Sequence, residues 1–267
     1  MTRRSVYSVL SVLLLTILFL FSPLTRMTLS ADAAVLSLPP VIVLTRYSKT
    51  MAIGEEFALI AVASNGKLPS FKSSKSSVAS VNTYGLITAK KAGTCNITAK
   101  IKNAEASCRI TVKQTSLTIS PANVTLYRNG TKQLKATVSN GHIPVWKSGK
   151  SSVATVDENG LVTAVKHGTA KITAKVDGVS KICTITVKQP KVRLSASSLS
   201  MIVGESRTLS ANVSSGNAPE WSTSNSNVLS VDQQGNITAL KKGRAYVYAR
   251  EDGIKTSCVV TVSETPA

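Results

Sequence analysis

Aromatic residues make up only 4% of the 267-residue sequence, histidine occurs twice and cysteine four times. Each shortage closes off a class of function. His142 and His167 lie beside Gly141 and Gly168 in stretches that read as turns, so solvated loop side chains are predicted there. A hydrolase triad or a zinc site needs partners that this chain does not cluster. Four cysteines are too few to staple a chain of this length. Acidic residues number 13, and Asp157, Glu158 and Asp177 do not form the oxygen-rich cluster that calcium needs. No metal, no cofactor and no enzymatic activity are therefore expected. The scarce aromatics offer no stacking platform and no stretch reads as a recognition helix, which argues against sequence-specific nucleic-acid binding.

Long apolar runs are also scarce. Val9 to Phe21 is 13 residues, short for a membrane span. With Arg3 and Arg4 before it and Ala31-Asp32-Ala33 after it, residues 1–33 read as a signal peptide. The stretch from Ser22 to Ala33 is long for that role and contains Arg26, so an uncleaved anchor stays open, and membrane contact is expected only in that case. Either way the remainder is predicted to be secreted and associated with the cell surface. Ser263 to Ala267 shows no wall-sorting pattern, and covalent wall attachment is not expected.

A period of 75 residues runs through the rest. Phe71, Trp146 and Trp221 keep that interval, as do Gly85, Gly160 and Gly235, Gly93, Gly168 and Gly243, and Cys108, Cys183 and Cys258. Such self-similarity reports one folding unit copied in tandem. Within the second copy, Ala170, Ile172, Ala174 and Val176 alternate with Lys171, Thr173 and Lys175, and Cys183, Ile185 and Val187 with Thr184, Thr186 and Lys188. That alternation marks strands with one buried and one wet face. About seven short strands per copy predict three antiparallel β-sandwiches at 38–113, 115–188 and 191–263. The linkers Lys113-Gln114 and Lys188-Gln189-Pro190 are short, and the proline stiffens the second. A monomeric, semi-rigid rod of roughly 60 to 90 Å is expected.

The recurring residues have structural readings. The three large aromatics mark a core position between sheets, although Trp146 and Trp221 could also stack on a sugar. The six repeated glycines read as turn glycines, Asn159-Gly160 being typical of a tight turn. Asp157 and Asp232 read as turn caps. Cys108, Cys183 and Cys258 fall on inward positions as small apolar side chains. Cys95 also faces inward, on the strand before Cys108, and a local bridge across a hairpin at Lys102-Asn103 is conceivable.

What the sequence has in excess is positive charge: 32 Lys and Arg give a net of +19, and without residues 1–33 the balance is 29 against 12, or +17. By copy the counts are 11 against 3, 10 against 3 and 8 against 5, so the net falls from +8 to +7 to +3. Outward lysines keep a β-protein soluble and block edge pairing. The functional alternative is attraction to an anionic cell-envelope polymer or surface polysaccharide.

Trp146-Lys147-Ser148, Ser152 to Asp157, Gly160 to Ala164, Gly168-Thr169-Ala170 and Thr184 to Val187 resemble the bacterial Ig-like domain, group 2. The third copy is similar through Trp221 to Ser224, Val231-Asp232, Gly235 to Ala239 and Gly243; the first diverges, with Phe71 and Asn82 in place of tryptophan and aspartate. The resemblance implies an Ig-like sandwich of the kind found in intimin- and invasin-like adhesins and as spacers in surface proteins. Two roles follow as expectations: adhesion through the basic exterior, or a structural spacer with no ligand of its own.

Overall fold

The computed structural model describes residues 38–264, and the predicted signal peptide lies outside them. All regular elements among the described residues are strands. The first copy contains β1 (Ile42–Leu44), β2 (Ser48–Met51), β3 (Glu56–Ala58), β4 (Ala61–Ala63), β5 (Ser70–Ser73), β6 (Ala79–Val81), β7 (Leu86–Ala89), β8 (Gly93–Ile101) and β9 (Ala104–Val112). Two sheets, ordered β2-β9-β8-β5 and β3-β7-β6, are joined by a β1-β4 ladder. Nine strands from Leu117 to Val187 (β10–β18) and nine from Val192 to Ser263 (β19–β27) repeat that order element for element.

Nine elements replace the expected seven because two strands are interrupted. The chain breaks at 45–47 between β1 and β2 and at 59–60 between β3 and β4, letting each pair of pieces serve different sheets. The antiparallel sandwich holds apart from one pair in each copy, at the same place. After the break β2 crosses over and pairs parallel with β9, Thr50 opposite Thr111, and β11 (Asn123–Leu126) and β20 (Ser198–Ile202) pair likewise with β18 (Val179–Val187) and β27 (Ile254–Ser263). All other pairs are antiparallel.

Each copy builds its core from the inward half of these alternations. In the first copy Met51, Leu59, Ile87, Ile97 and Ile110 are fully buried; in the second Leu134, Ile172 and Ile185 hold the same interior, and in the third Met201, Leu209, Leu229 and Ile237. Each such side chain contributes about 1.5–3 kcal/mol by leaving water, which is why β-branched and aliphatic residues recur at even spacing.

The cysteines belong to that core. Cys108, Cys183 and Cys258 are buried, and burial pushes each thiol pKa up, with Arg46 pulling Cys108 back and Cys95 adding to its rise. The conceivable Cys95–Cys108 bridge is absent: both thiols are free. Cys95 stands opposite Ile110 and Cys108 opposite Ile97, so the two are diagonal neighbours. Such neighbours lie about 7–8 Å apart, beyond the usual reach of a disulfide.

Candidate functional site

The repeated aromatics and glycines meet. Phe71 and Trp146 are half-buried and Trp221 is 8% exposed. Each ring lies across the turn that closes the smaller sheet, against Gly85, Gly160 or Gly235. At Gly160, whose φ is +83°, an added Cβ would stand 2.9 Å from the Trp146 ring. The aromatic therefore seals the rim of the core over a backbone that tolerates no side chain.

Gly93, Gly168 and Gly243, expected in turns, instead open the long strands β8, β17 (Gly168–Val176) and β26 (Gly243–Glu251). A Cβ there would press 3.0–3.1 Å from Val78, Val153 or Val228. Close packing on a valine, together with positive φ, accounts for the glycine.

The turn acids cap as the residue types require. Asp157 Oδ1 accepts from the amides of Asn159 and Leu161 at 2.9 and 2.8 Å, and Asp232 Oδ1 accepts the matching pair from Gln234 and Asn236. Asn82 Oδ1 accepts from Tyr84 and Leu86. One oxygen accepts both turn amides in each copy, so asparagine can make the same pair of backbone bonds; Asp232 uses its second oxygen as well, accepting from the Asn236 side chain at 2.7 Å. Side-chain donation from Asn236, then the backbone amides, hold Asp232 below its ordinary pKa.

The outward surface of the larger sheet is the candidate binding face. In the second copy it carries Val145 and Lys147 on β14 (Val145–Ser148), Lys171, Thr173 and Lys175 on β17, and Ile182 on β18, with Val145 opposite Lys175 and Lys147 opposite Thr173. None of these three lysines makes an ion pair among the described residues. Beside them Ile143 and Val145 are 84% and 73% exposed, and with Lys147, Lys175 and His142 they line a shallow depression. The first copy presents Lys72, Lys100 and Arg109, with Lys100 paired to Glu105 at 3.3 Å.

The third copy differs. Arg244, Tyr246, Tyr248 and Arg250 alternate along the outward side of β26, and Lys255 stands opposite Arg250 on β27. The tyrosine rings are nearly parallel, 12° apart with centroids 6.3 Å apart. The expectation that the scarce aromatics form no stacking platform is thus corrected locally: two of them share one strand face. Composition averages hid the pair; alternation at period 2, compared between copies, exposes it.

The histidines are not free loop side chains. His142 Nδ1 lies 3.0 Å from Asp177 Oδ1, and its ring covers Gly54 of the first copy, where an added Cβ would meet Nε2 at 2.8 Å. His167 donates its amide to Asp252 Oδ2 of the third copy at 2.7 Å, with Nδ1 3.1 Å from the same oxygen. Both ends of the second copy therefore carry a histidine–aspartate contact at a junction. Around them, Asn140 Nδ2 donates to Asp177 Oδ2 at 2.7 Å and to the Ile53 carbonyl at 3.3 Å, and Thr115 Oγ1 donates to Asp177 at 2.7 Å. At the other junction Arg128 Nε donates to Glu251 Oε1 at 2.8 Å, and Asn217 donates to that oxygen and to the Arg128 carbonyl, each at 3.0 Å. These partners are 34 to 123 residues apart, and no local pattern announces them.

Among the described residues no group of three or more metal-ligating side chains occurs, and no helix is long and apolar enough to cross a membrane. The fold is similar to that of one solved tandem of Ig domains, and two further structures give weaker likenesses. The I9–I11 tandem of titin superposes with a TM-score of 0.51 at 13% identity, covering 84% of this chain and all of that one. Surface layer protein SbsC, domains 1–6, gives 0.27 at 16% identity over 86% of this chain, which spans 41% of that fragment. A C-terminal fragment of intimin in complex with the translocated intimin receptor gives 0.30 at 18% identity, covering 59% and 67% of the two chains. No curated protein sequence matches the chain. Residues 146–189 match the bacterial Ig-like domain and residues 189–262 the bacterial Ig-like domain (group 2). The second and third copies are thus similar in sequence to bacterial Ig-like domains, and the first copy, outside both matches, has the same strand order.

Proposed function

We propose that this chain is a non-catalytic, exported protein of the cell surface that adheres to an anionic envelope polymer or surface polysaccharide through the outward cations of its larger sheets. The carrying observation is the second copy's face, where Lys147, Lys171 and Lys175 stand on adjacent strands without an acidic partner among the described residues. Unpaired like charges on one face cost self-repulsion and are relieved by a polyanion. The inward positions are consumed by three cores, which leaves the exterior for recognition. A hydrogen bond across the first junction, and hydrogen bonds with an ion pair across the second, fit a semi-rigid array that holds several such faces together, so weak contacts add.

Attraction of this kind weakens steeply with ionic strength. Protein associated with intact producer cells should be released by about 1 M salt, and replacement of Lys147, Lys171 and Lys175 by glutamate should abolish retention. Protein that stays on cells in high salt, or is free in the medium at low salt, would overturn the reading in favour of a spacer without a ligand.

A further inference from the structure

The outward side of β26 is where the three copies depart from one another in chemistry. Arg244, Tyr246, Tyr248 and Arg250 stand where the second copy has Thr169, Lys171, Thr173 and Lys175 and the first Thr94, Asn96, Thr98 and Lys100. Strand order is identical in all three, so the fold does not require two aromatic rings on its wet face. Tyr246 is nevertheless 41% exposed, and Tyr248 is half-buried. Their flanks are low: Ser222 and Ser257 stand opposite Tyr248 on the two neighbouring strands, and Val259 opposite Tyr246.

Cations bracket the rings. The Arg244 guanidinium lies 6.0 Å from the Tyr246 centroid, and the Lys255 ammonium 4.1 Å from the Tyr248 centroid. Arg250 stands opposite Glu220 on β23 (Glu220–Thr223), which offsets part of its charge. The positive charge without an acid opposite it therefore sits against the rings themselves, Arg244 beside Tyr246 and Lys255 over Tyr248.

A ligand that uses every part of this strip needs flat apolar surfaces for the rings and anionic groups for the flanking cations. A polyphosphate has no flat apolar surface, and a neutral glycan has no charge for Arg244 or Lys255. A sugar acid has both: its ring presents a C–H face and its carboxylate accepts charge-assisted hydrogen bonds, bidentate from arginine. We propose that Arg244, Tyr246, Tyr248 and Lys255 form a subsite for an acidic polysaccharide of the uronic-acid type. The subsite rests on the reading of the chain as a polyanion binder and gives that reading a place and a preference.

The test uses the full chain at low salt against polygalacturonate, polyphosphate, neutral dextran and oligo-dT. The double variant Tyr246→Asn, Tyr248→Thr carries the residues of the first copy, so its sheet should form; an unchanged Trp221 emission and melting temperature would verify that. Polygalacturonate affinity should fall about tenfold or more, while polyphosphate affinity changes less than about twofold and dextran is not bound by either protein. Equal losses on polygalacturonate and polyphosphate, or no loss on either, would overturn the subsite and leave the general reading standing. Stronger binding of oligo-dT with the same dependence on the tyrosines would overturn the polysaccharide assignment. Failure of the unaltered chain to bind any of the polyanions would overturn both.

Discussion

Asp177 and Asp252 occupy the same place in successive copies, each at a hairpin tip with φ of 48° and 47° and a glycine after it, yet they draw their bonds from different sides. Asp177 is satisfied within its own copy and linker, by Thr115, Asn140 and His142. Among the described residues, the Asn140 bond to the Ile53 carbonyl and the His142 ring over Gly54 are what reach back to the first copy. Asp252 instead accepts from the preceding copy, at the His167 amide, and its neighbour Glu251, with no exposed side-chain surface, takes Arg128 from that copy. One junction is a self-contained tip leaning on its neighbour; the other is clasped by an ion pair between a buried carboxylate and a half-buried arginine. A tip can serve either purpose because hairpin geometry fixes where it points, while the residues around it decide what it holds.

The largest way to break the contrast is Arg128→Ala. It strands Glu251 in the clasped junction with Asn217 alone, and loss of one partner of a buried pair costs about 3 kcal/mol. Urea unfolding followed by Trp221 emission should show that loss, with the Trp146 transition less affected. Next, Gly54→Ala and Gly204→Ala impose a similar positive-φ cost of about 1–2 kcal/mol, since these glycines sit at φ of +85° and +88°. Only the first also meets a ring across a junction, so only it should alter exchange protection of the His142 loop. If both variants behave alike, the first junction is not packed in solution.

The pH dependence sharpens the comparison at smaller scale. Burial raises the Asp177 carboxyl, but donation from Thr115, His142 and Asn140 outweighs it and holds the pKa below its ordinary 3.8. A depressed folded value means that the stabilisation is present above the ordinary value and is lost as pH falls through the folded one. Asp177→Asn should remove about 1.5 kcal/mol near neutrality and flatten the stability profile of the second copy below about pH 4. Thermal melts from pH 6 to pH 2.5, read at Trp146, would reveal it. The smallest effect is expected for Lys102→Asp, which gives the first copy the acid found at both other tips. Exposed and unpaired among the described residues, position 102 should change stability by less than about 0.5 kcal/mol, and any larger gain would mean that the tip has a partner of its own.

Much of the fold was legible because its signals are local. Alternation in β17 and β18, the caps at Asp157 and Asp232, and the spacing of Trp146 and Trp221 each follow from the conformation of a few consecutive residues. The parallel crossing of β2 was not legible, because Thr50 and Thr111 pair across sixty residues and a broken strand looks like one strand in the sequence. The contacts of the histidines were not legible for a similar reason: a loop location does not reveal which residues of a neighbouring sandwich lie within reach. The tyrosine strip lay in between, visible once Tyr246 and Tyr248 are compared with Lys171 and Thr173, and invisible in a count of aromatics.

By itself the sequence determined the copied unit, the buried and wet side of each long strand, and the excess of positive charge, since these depend on period and residue type alone. The tertiary structure decided which strands pair in parallel, which tip clasps its neighbour, and which outward residues share a face. Those outcomes depend on distances between residues far apart along the chain, and such distances are set only when the sheets close around their cores.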